Sequence, residues 1–523
     1  MKLERVLTAF AAIVHAAPFE PRGVDYPGLY FSNGKFEITT FNDLHLGDFG
    51  IQEGIQKGTW SDDLTVDVMN RVLDYEHGTN LAVLNGDITT CEWLAEKDSY
   101  SFLDKAMSPF LSRKLPFAAT FGNHDWSATC NTRWMSDHIW RTANTGEQLT
   151  FTTSSVAGDP NLVGTTNYFI PLYSKVNGIQ VLKMILWFFD SKGGLGYTGD
   201  GNNKQEVYGY VHSDVIEWFK RTSKKLENDH GGKNIPSLVF VHIPIAITEK
   251  YAQAGLISAS KTPGIQWHED LGVQDDKKGI LVMQALADTP GLLGVFSGHD
   301  HNTDWCMKWT KTPEPVPASW PSDTQGVGLH VCFGRHTGYG GYSEVMRGGR
   351  HIVVYEDALG GDNAIETWNR LENGEISGRV MLNSTYGTDQ YARVEVKFSD
   401  GSTPKKNVVG RSDDEAKTTM KKPHSSTSKK STKTSTSSKA TKVTTSSKHL
   451  KTTTTSAVKK STTTRALRAT KISHSHKPRS EGNRTTSVPK PTNSKFKTKK
   501  ASKPCRIRPI RPIECVEDGL QDI

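Results

Sequence analysis

Residues 36–50 read FEITTFNDLHLGDFG. The first six largely alternate apolar and polar side chains, the two-residue period of a strand with one face in a core, and residues 36–42 are read as that strand. Directly after it come Asp43, His45 and Asp48, carboxylate and imidazole groups that can hold a metal. Taken alone, they are either ligands at a strand end or ordinary turn residues. The stretch by itself does not choose between the two aspartates.

The same arrangement recurs four more times along the chain. The apolar run 81–84 is followed by Asn85-Gly86-Asp87, and the run 117–121 by Gly122-Asn123-His124-Asp125. The run 238–241 is followed by His242, and the run 292–296 by Ser297-Gly298-His299-Asp300-His301. Singly, each has a bland reading: Gly-Asp is usually a turn, a lone histidine usually packs in a core, and Asn-His-Asp can cap a helix. Five such clusters, each closing a buried strand, are hard to explain as turns, because strand ends are where sites form in open α/β sheets. Together they offer imidazole, carboxylate and amide donors in numbers sufficient for two ions sharing a carboxylate. That mixture suits Fe, Zn or Mn rather than Ca or Cu(I), and the lack of cysteine in the clusters argues against a structural zinc.

Helical patterns at 62–77, 100–113, 213–226 and 278–286 alternate with the strand-like runs, which also include 181–189, and this predicts an α/β core. Leu64, Val68 and Val72 are read as the buried stripe of the first helix. Residues 365–368 and 392–398 read as closing strands of the same domain.

Charge divides the chain near residue 400. Residues 1–400 carry a net −14 and residues 401–523 a net +22, so the overall +8 describes neither part. Residues 421–470 contain 26 Ser or Thr and 13 Lys or Arg. Such a segment cannot bury enough apolar surface to offset the entropy of ordering it, so 401–523 is expected to be a disordered basic tail. Its readings are an O-glycosylated spacer, a tether to an anionic cell-wall or surface polymer, or a means of steering phosphorylated substrates. Sparse aromatics argue against stacking on bases, and no specific nucleic-acid recognition is expected.

At the other end, Lys2 and Arg5 precede the apolar run 6–14 and the small-residue site Val14-His15-Ala16, which reads as a signal peptide over 1–16. No later stretch is long and apolar enough to span a bilayer. The expectation is a secreted or extracellular protein, a cell-wall location included, with its domain over 17–400. In that setting the six cysteines permit disulfides. Cys91/Cys130, Cys306/Cys332 and Cys505/Cys515 are the candidate pairs, with buried free thiols the alternative. Asn383-Ser384-Thr385 and Asn483-Arg484-Thr485 are candidate glycan sites.

The five blocks, in this order, resemble the calcineurin-like metallophosphoesterase superfamily. FNDLHLG, GHDHNTDWC, VCFGRHTGYGGY and Ile365-Glu366-Thr367-Trp368 are similar to one branch, the fungal Dcr-type phosphatases and the plant proteins labelled probable inactive purple acid phosphatases. The resemblance implies a four-layer α/β/β/α sandwich. It implies a first ion on Asp43, His45 and His301, a bridging Asp87, and a second ion on Asn123, His242 and His299. It implies hydrolysis of phosphate monoesters by a metal-bridging hydroxide, with His124 beside the leaving group. The alternatives are a phosphodiesterase or nuclease on the same site, and a polyanion-binding surface protein. True purple acid phosphatases carry a metal-bound tyrosine where this chain has Thr90 and a glycine where it has His45, so no tyrosinate colour is implied. In the glycine-rich segment 333–342, Arg335 and His336 are candidate substrate-binding residues, with a plain strand connection as the alternative.

Overall fold

The computed structural model describes residues 28–399 except 53–54, 128–129, 198–203, 207–208, 267–270, 276 and 322–323. The signal peptide, the basic tail, Cys505/Cys515 and the sequon at Asn483 lie outside the described residues.

Two sheets form the centre. One has the order Ile376–Leu382, Ile365–Leu371, Gly348–Tyr355, Lys35–Phe41, Leu81–Asn85, Phe117–Thr120. The other has the order Leu29–Tyr30, Tyr168–Val176, Ile179–Phe189, Ser237–Val241, Leu292–Ser297, Leu329–Phe333, Cys306–Trp309. Lys35–Phe41, Leu81–Asn85 and Phe117–Thr120 run parallel. So do Ile179–Phe189, Ser237–Val241, Leu292–Ser297 and Leu329–Phe333.

Successive side chains of a strand point to opposite faces, so a strand buried on both faces reads as a continuous apolar run. Phe36, Ile38, Leu81 and Val83 from the first sheet meet Leu186, Phe188, Leu238 and Phe240 from the second in a core between the sheets. Their neighbours Phe41, Ala82 and Leu84 face outward onto Val68, Val72, Leu103 and Phe110 of the helices Thr59–Tyr75 and Glu96–Arg113. Trp187, Val239 and Val295 do the same against the helices Ser213–Asp229 and Ile280–Ala287. Three cores therefore separate four layers, helix–sheet–sheet–helix, as expected. Each fully buried Leu or Phe contributes about 1.5–3 kcal/mol to this arrangement.

Two local expectations fail. Leu64 is 36% exposed, and the buried stripe runs through Thr65, Val68, Met69, Val72 and Leu73. The helix places Thr65 inward because its hydroxyl accepts the N–H of Tyr339, 2.9 Å away. Residues 392–398 form no strand, only an isolated bridge between Val345 and Phe398. Their partner is the irregular segment 343–347, which offers no ladder to extend. The Cys91–Cys130 and Cys306–Cys332 disulfides are formed, the second between paired residues of two antiparallel strands. Among the described residues no helix is long and apolar enough to cross a membrane.

Candidate metal centre

The parallel strands of both sheets end at one edge, and the five clusters converge there. Asp43 and His45 follow Lys35–Phe41, and Asp87 follows Leu81–Asn85. Asn123 and His124 follow Phe117–Thr120, His242 follows Ser237–Val241, and His299 and His301 follow Leu292–Ser297. Asp43, His45, Asp87 and His299 all adopt left-handed backbone conformations, with φ of 56°, 49°, 48° and 76°. Such a conformation costs a non-glycine residue about 1–2 kcal/mol, and it persists where surrounding bonds over-determine it. Here they do. The N–H groups of Asp43 and His45 donate to the carbonyls of Gly86 and Asp87 at 3.1 and 3.0 Å. The N–H of His299 donates to the Asp43 carboxylate, and that of His124 to Asp87 Oδ1 at 2.8 Å. Gly122 allows a close approach, since a Cβ there would lie 2.3 Å from Asp87 Oδ1.

The side chains form two groups, Asp43–His45–His301 and Asp87–His242–His299, within each of which the donor atoms lie within 4.8 Å of one another. Asp87 stands between the groups. Its Oδ2 is 3.0 Å from His242 Nε2 and 3.7 Å from His45 Nε2. The imidazoles are held by their outer nitrogens: Nδ1 of His242 on the Asn85 carbonyl, Nδ1 of His301 on the Tyr342 carbonyl, and Nδ1 of His45 on the Thr90 hydroxyl. A carbonyl only accepts, so His242 and His301 carry hydrogen on Nδ1 and can turn an Nε2 lone pair inward.

Several buried donor atoms lack protein partners. His45 Nε2 and His301 Nε2 face each other at 3.2 Å, a contact that is repulsive unless a proton or a cation lies between the lone pairs. His242 Nε2, with Nδ1 carrying the hydrogen, meets the Asp87 carboxylate 3.0 Å away, again lone pair against lone pair, and Asn123 Oδ1 has no hydrogen-bond partner among the described residues. Buried polar atoms are rarely left so, and a mixed nitrogen–oxygen set with orphaned lone pairs is what a pair of transition-metal ions requires. The residues present fit two ions.

His124 lies at the mouth, its side chain 38% exposed. Its Nδ1 is 2.7 Å from Glu92 Oε1. Partial burial opposes its charge, but Asp87 and the Glu92 hydrogen bond outweigh that and lift its pKa to about 9. Glu92 escaped the sequence reading. Its only signal is an acidic residue between Cys91 and Trp93, on a turn that the disulfide to Cys130 pins against the 123–131 segment. Thr90, at the position of the absent tyrosine, supports His45.

Asp48 stays outside both groups. Its carboxylate accepts the N–H groups of Gly50 and Gly341, fastening the glycine-rich segment to the first loop. Arg335 and His336, the candidate substrate-binding residues, are both buried. Arg335 is 2% exposed, its guanidinium 2.6 Å from Asp304 Oδ2 and donating to the Met346 carbonyl. Asp304, just beyond the His299/His301 turn, draws it inward. His336 is 1% exposed, with its ring 4.0 Å from that of His301. It packs on a candidate ligand, and neither of its ring nitrogens has a hydrogen-bond partner among the described residues.

Comparison with known proteins agrees with this geometry. Residues 36–303 match the family described as calcineurin-like phosphoesterase. The chain is 26% identical over 380 residues to the "Probable inactive purple acid phosphatase 29" of Arabidopsis thaliana, covering 68% of this chain and 87% of the relative. It is 29% identical over 355 residues to "Phosphatase DCR2" of Saccharomyces cerevisiae, covering 65% of this chain but only 54% of that relative's length. Among solved structures, a dimetal phosphatase from Danio rerio aligns at 12% identity and a TM-score of 0.38, over 66% of this chain and 98% of its own. Purple acid phosphatase PPD1 from Lupinus luteus aligns at 10% and 0.37, over 68% and 54%.

Proposed function

The chain belongs to the calcineurin-like phosphoesterase family, and on that premise we propose that it is an exported two-metal enzyme that hydrolyses phosphate monoesters. The observation that carries this reading is the convergence of two buried donor groups around Asp87, with inward-facing lone pairs set against one another. Asp43, His45 and His301 would hold one ion, Asn123, His242 and His299 the other, and Asp87 would serve both. Bound Fe, Zn or Mn ions there would offset charge on the phosphoryl oxygens and lower the pKa of an attacking water.

The chain's own residues supply the rest. The strained loops fix the donors before substrate arrives, so no reorganisation is needed during reaction. His124, half-buried and hydrogen-bonded to Glu92, is placed to give a proton to the departing oxygen. Glu92 orients the ring from behind and stabilises its charged form. Glu92→Gln is therefore expected to lower kcat about 10–100-fold on an alkyl phosphate, whose leaving group needs the proton. The loss on p-nitrophenyl phosphate, whose leaving group does not, is expected to be much smaller. Equal losses on both would remove His124 from the acid role.

The signal-like N-terminus supports export, and the composition of the tail supports a salt-sensitive tether to anionic surface polymer. The reaction class is tested by comparing mono- and bis-p-nitrophenyl phosphate. Faster turnover of the monoester is expected, and a clear preference for the diester would replace the reading with a phosphodiesterase.

A further inference from the structure

Two loops that border the candidate metal centre hold large apolar side chains out in water. In the first, Cys91 and Leu94 are buried, while Trp93 between them is 57% exposed. The turn is fixed in that attitude. The N–H groups of Trp93 and Leu94 donate to the carbonyls of Thr90 and Cys91 at 3.1 and 3.2 Å, and the disulfide to Cys130 anchors its start. In the second loop, Phe49 is 40% and Ile51 71% exposed. That loop is closed on itself, with the Lys57 N–H on the Gly50 carbonyl at 2.9 Å and the Gln56 side-chain amide on the Phe49 carbonyl at 2.6 Å.

The two loops meet, and both are tied to the centre. A Cβ at Gly50 would stand 3.8 Å from Cζ2 of the Trp93 indole, an ordinary contact. Glu92, the residue before Trp93, holds the His124 ring. Asp48, the residue before Phe49, accepts the N–H of Gly341 at 2.9 Å. A Cβ at Gly341 would in turn stand 2.7 Å from His301 Cε1 and 2.9 Å from His45 Cδ2. Apolar side chains scattered singly over a surface need no explanation, but neighbours beside a polar site mark a binding surface. These three are held in place before a ligand arrives, so covering them costs little ordering entropy and returns the hydrophobic gain. The surface adjoins His124, the side on which the organic part of a monoester would depart, and that position defines its occupant.

We propose that Trp93, Phe49 and Ile51 form a subsite for an apolar alkyl or aryl group in the alcohol portion of the substrate. This rests on the phosphoesterase reading and narrows it from phosphate monoesters in general to those of apolar alcohols.

The test is titration calorimetry of the natively purified full chain with methylphosphonate and 4-phenylbutylphosphonate. Neither is a phosphate ester, and they share the anionic head and differ only in apolar length. The phenylbutyl compound is expected to bind at least about tenfold more tightly. Trp93→Ala should remove most of that margin while leaving the affinity for methylphosphonate unchanged. Ile51→Ser, at an exposed position outside the turn that carries Glu92, should remove part of it. Equal affinities in the parent, or a margin that survives both substitutions, would overturn the subsite. If neither phosphonate binds and p-nitrophenyl phosphate is not turned over, it is the phosphoesterase reading that has failed, and the subsite with it.

Discussion

Asp87→Asn is expected to lower turnover of a phosphate monoester on the order of a thousandfold, about 4 kcal/mol of lost transition-state stabilisation, and to reduce the metal content. Asp87 is 1% exposed. Its Oδ2 faces His242 Nε2 and His45 Nε2, one from each donor group, while its Oδ1 takes the N–H of His124. Asparagine keeps the shape but removes the charge that both groups share. It also offers either an amide hydrogen where a cation is needed or a neutral oxygen with much weaker attraction. Every role proposed for the centre passes through this carboxylate. Metal analysis and steady-state kinetics on one preparation check the prediction. Retention of both ions and of turnover would show that Asp87 is a structural acid and that the two groups act independently.

The largest expected effect on stability is at Asp304, outside the metal groups. Its carboxylate pairs with Arg335, accepts from Asn369 at 3.0 Å and takes the N–H of Ile265. Its carbonyl accepts from Arg350, whose guanidinium also bonds the Phe333 carbonyl and the Thr367 hydroxyl. Arg350 and Asn369 belong to one sheet and Phe333 to the other, so the cluster joins the sheets at the edge where the site lies. Removing one partner of a buried ion pair leaves the other charge unpaired, which costs about 3–5 kcal/mol. Asp304→Ala should lose that much in urea or thermal unfolding. A midpoint matching the parent's would mean that water reaches Arg335 and that the cluster is not closed.

The sandwich and the metal groups were largely legible because both depend on order along the chain. Each buried strand reads as an apolar run, and the donors of each cluster follow their run by one to five residues. That rule also separates Gly86-Asp87, which closes its own strand, from Gly47-Asp48, whose aspartate fastens the 338–342 segment instead. What was not legible depends on which way a side chain turns once distant segments meet. Nothing local to Arg335 marks its ion pair with Asp304, 31 residues earlier. Glu92 acquires its role only because the turn at 91–93 folds beneath His124. Leu64 fits a four-residue spacing, but 3.6 residues per turn carries it off the buried face over successive turns. The left-handed conformations at Asp43, His45, Asp87 and His299 fall on residue types that tolerate that region better than most, but that tolerance does not place them. They are imposed by bonds between loops and are concentrated where the chemistry is proposed.

The central claim, that the converging groups form a working two-metal phosphoesterase centre, is tested most directly by metal analysis of natively purified protein paired with p-nitrophenyl phosphate turnover, before and after chelation. The account predicts about two ions of Fe, Zn or Mn per chain, loss of turnover as they are withdrawn, and recovery when one of these metals is returned. Turnover that persists in the metal-free protein, or a metal-replete protein that hydrolyses no phosphoester, would contradict it.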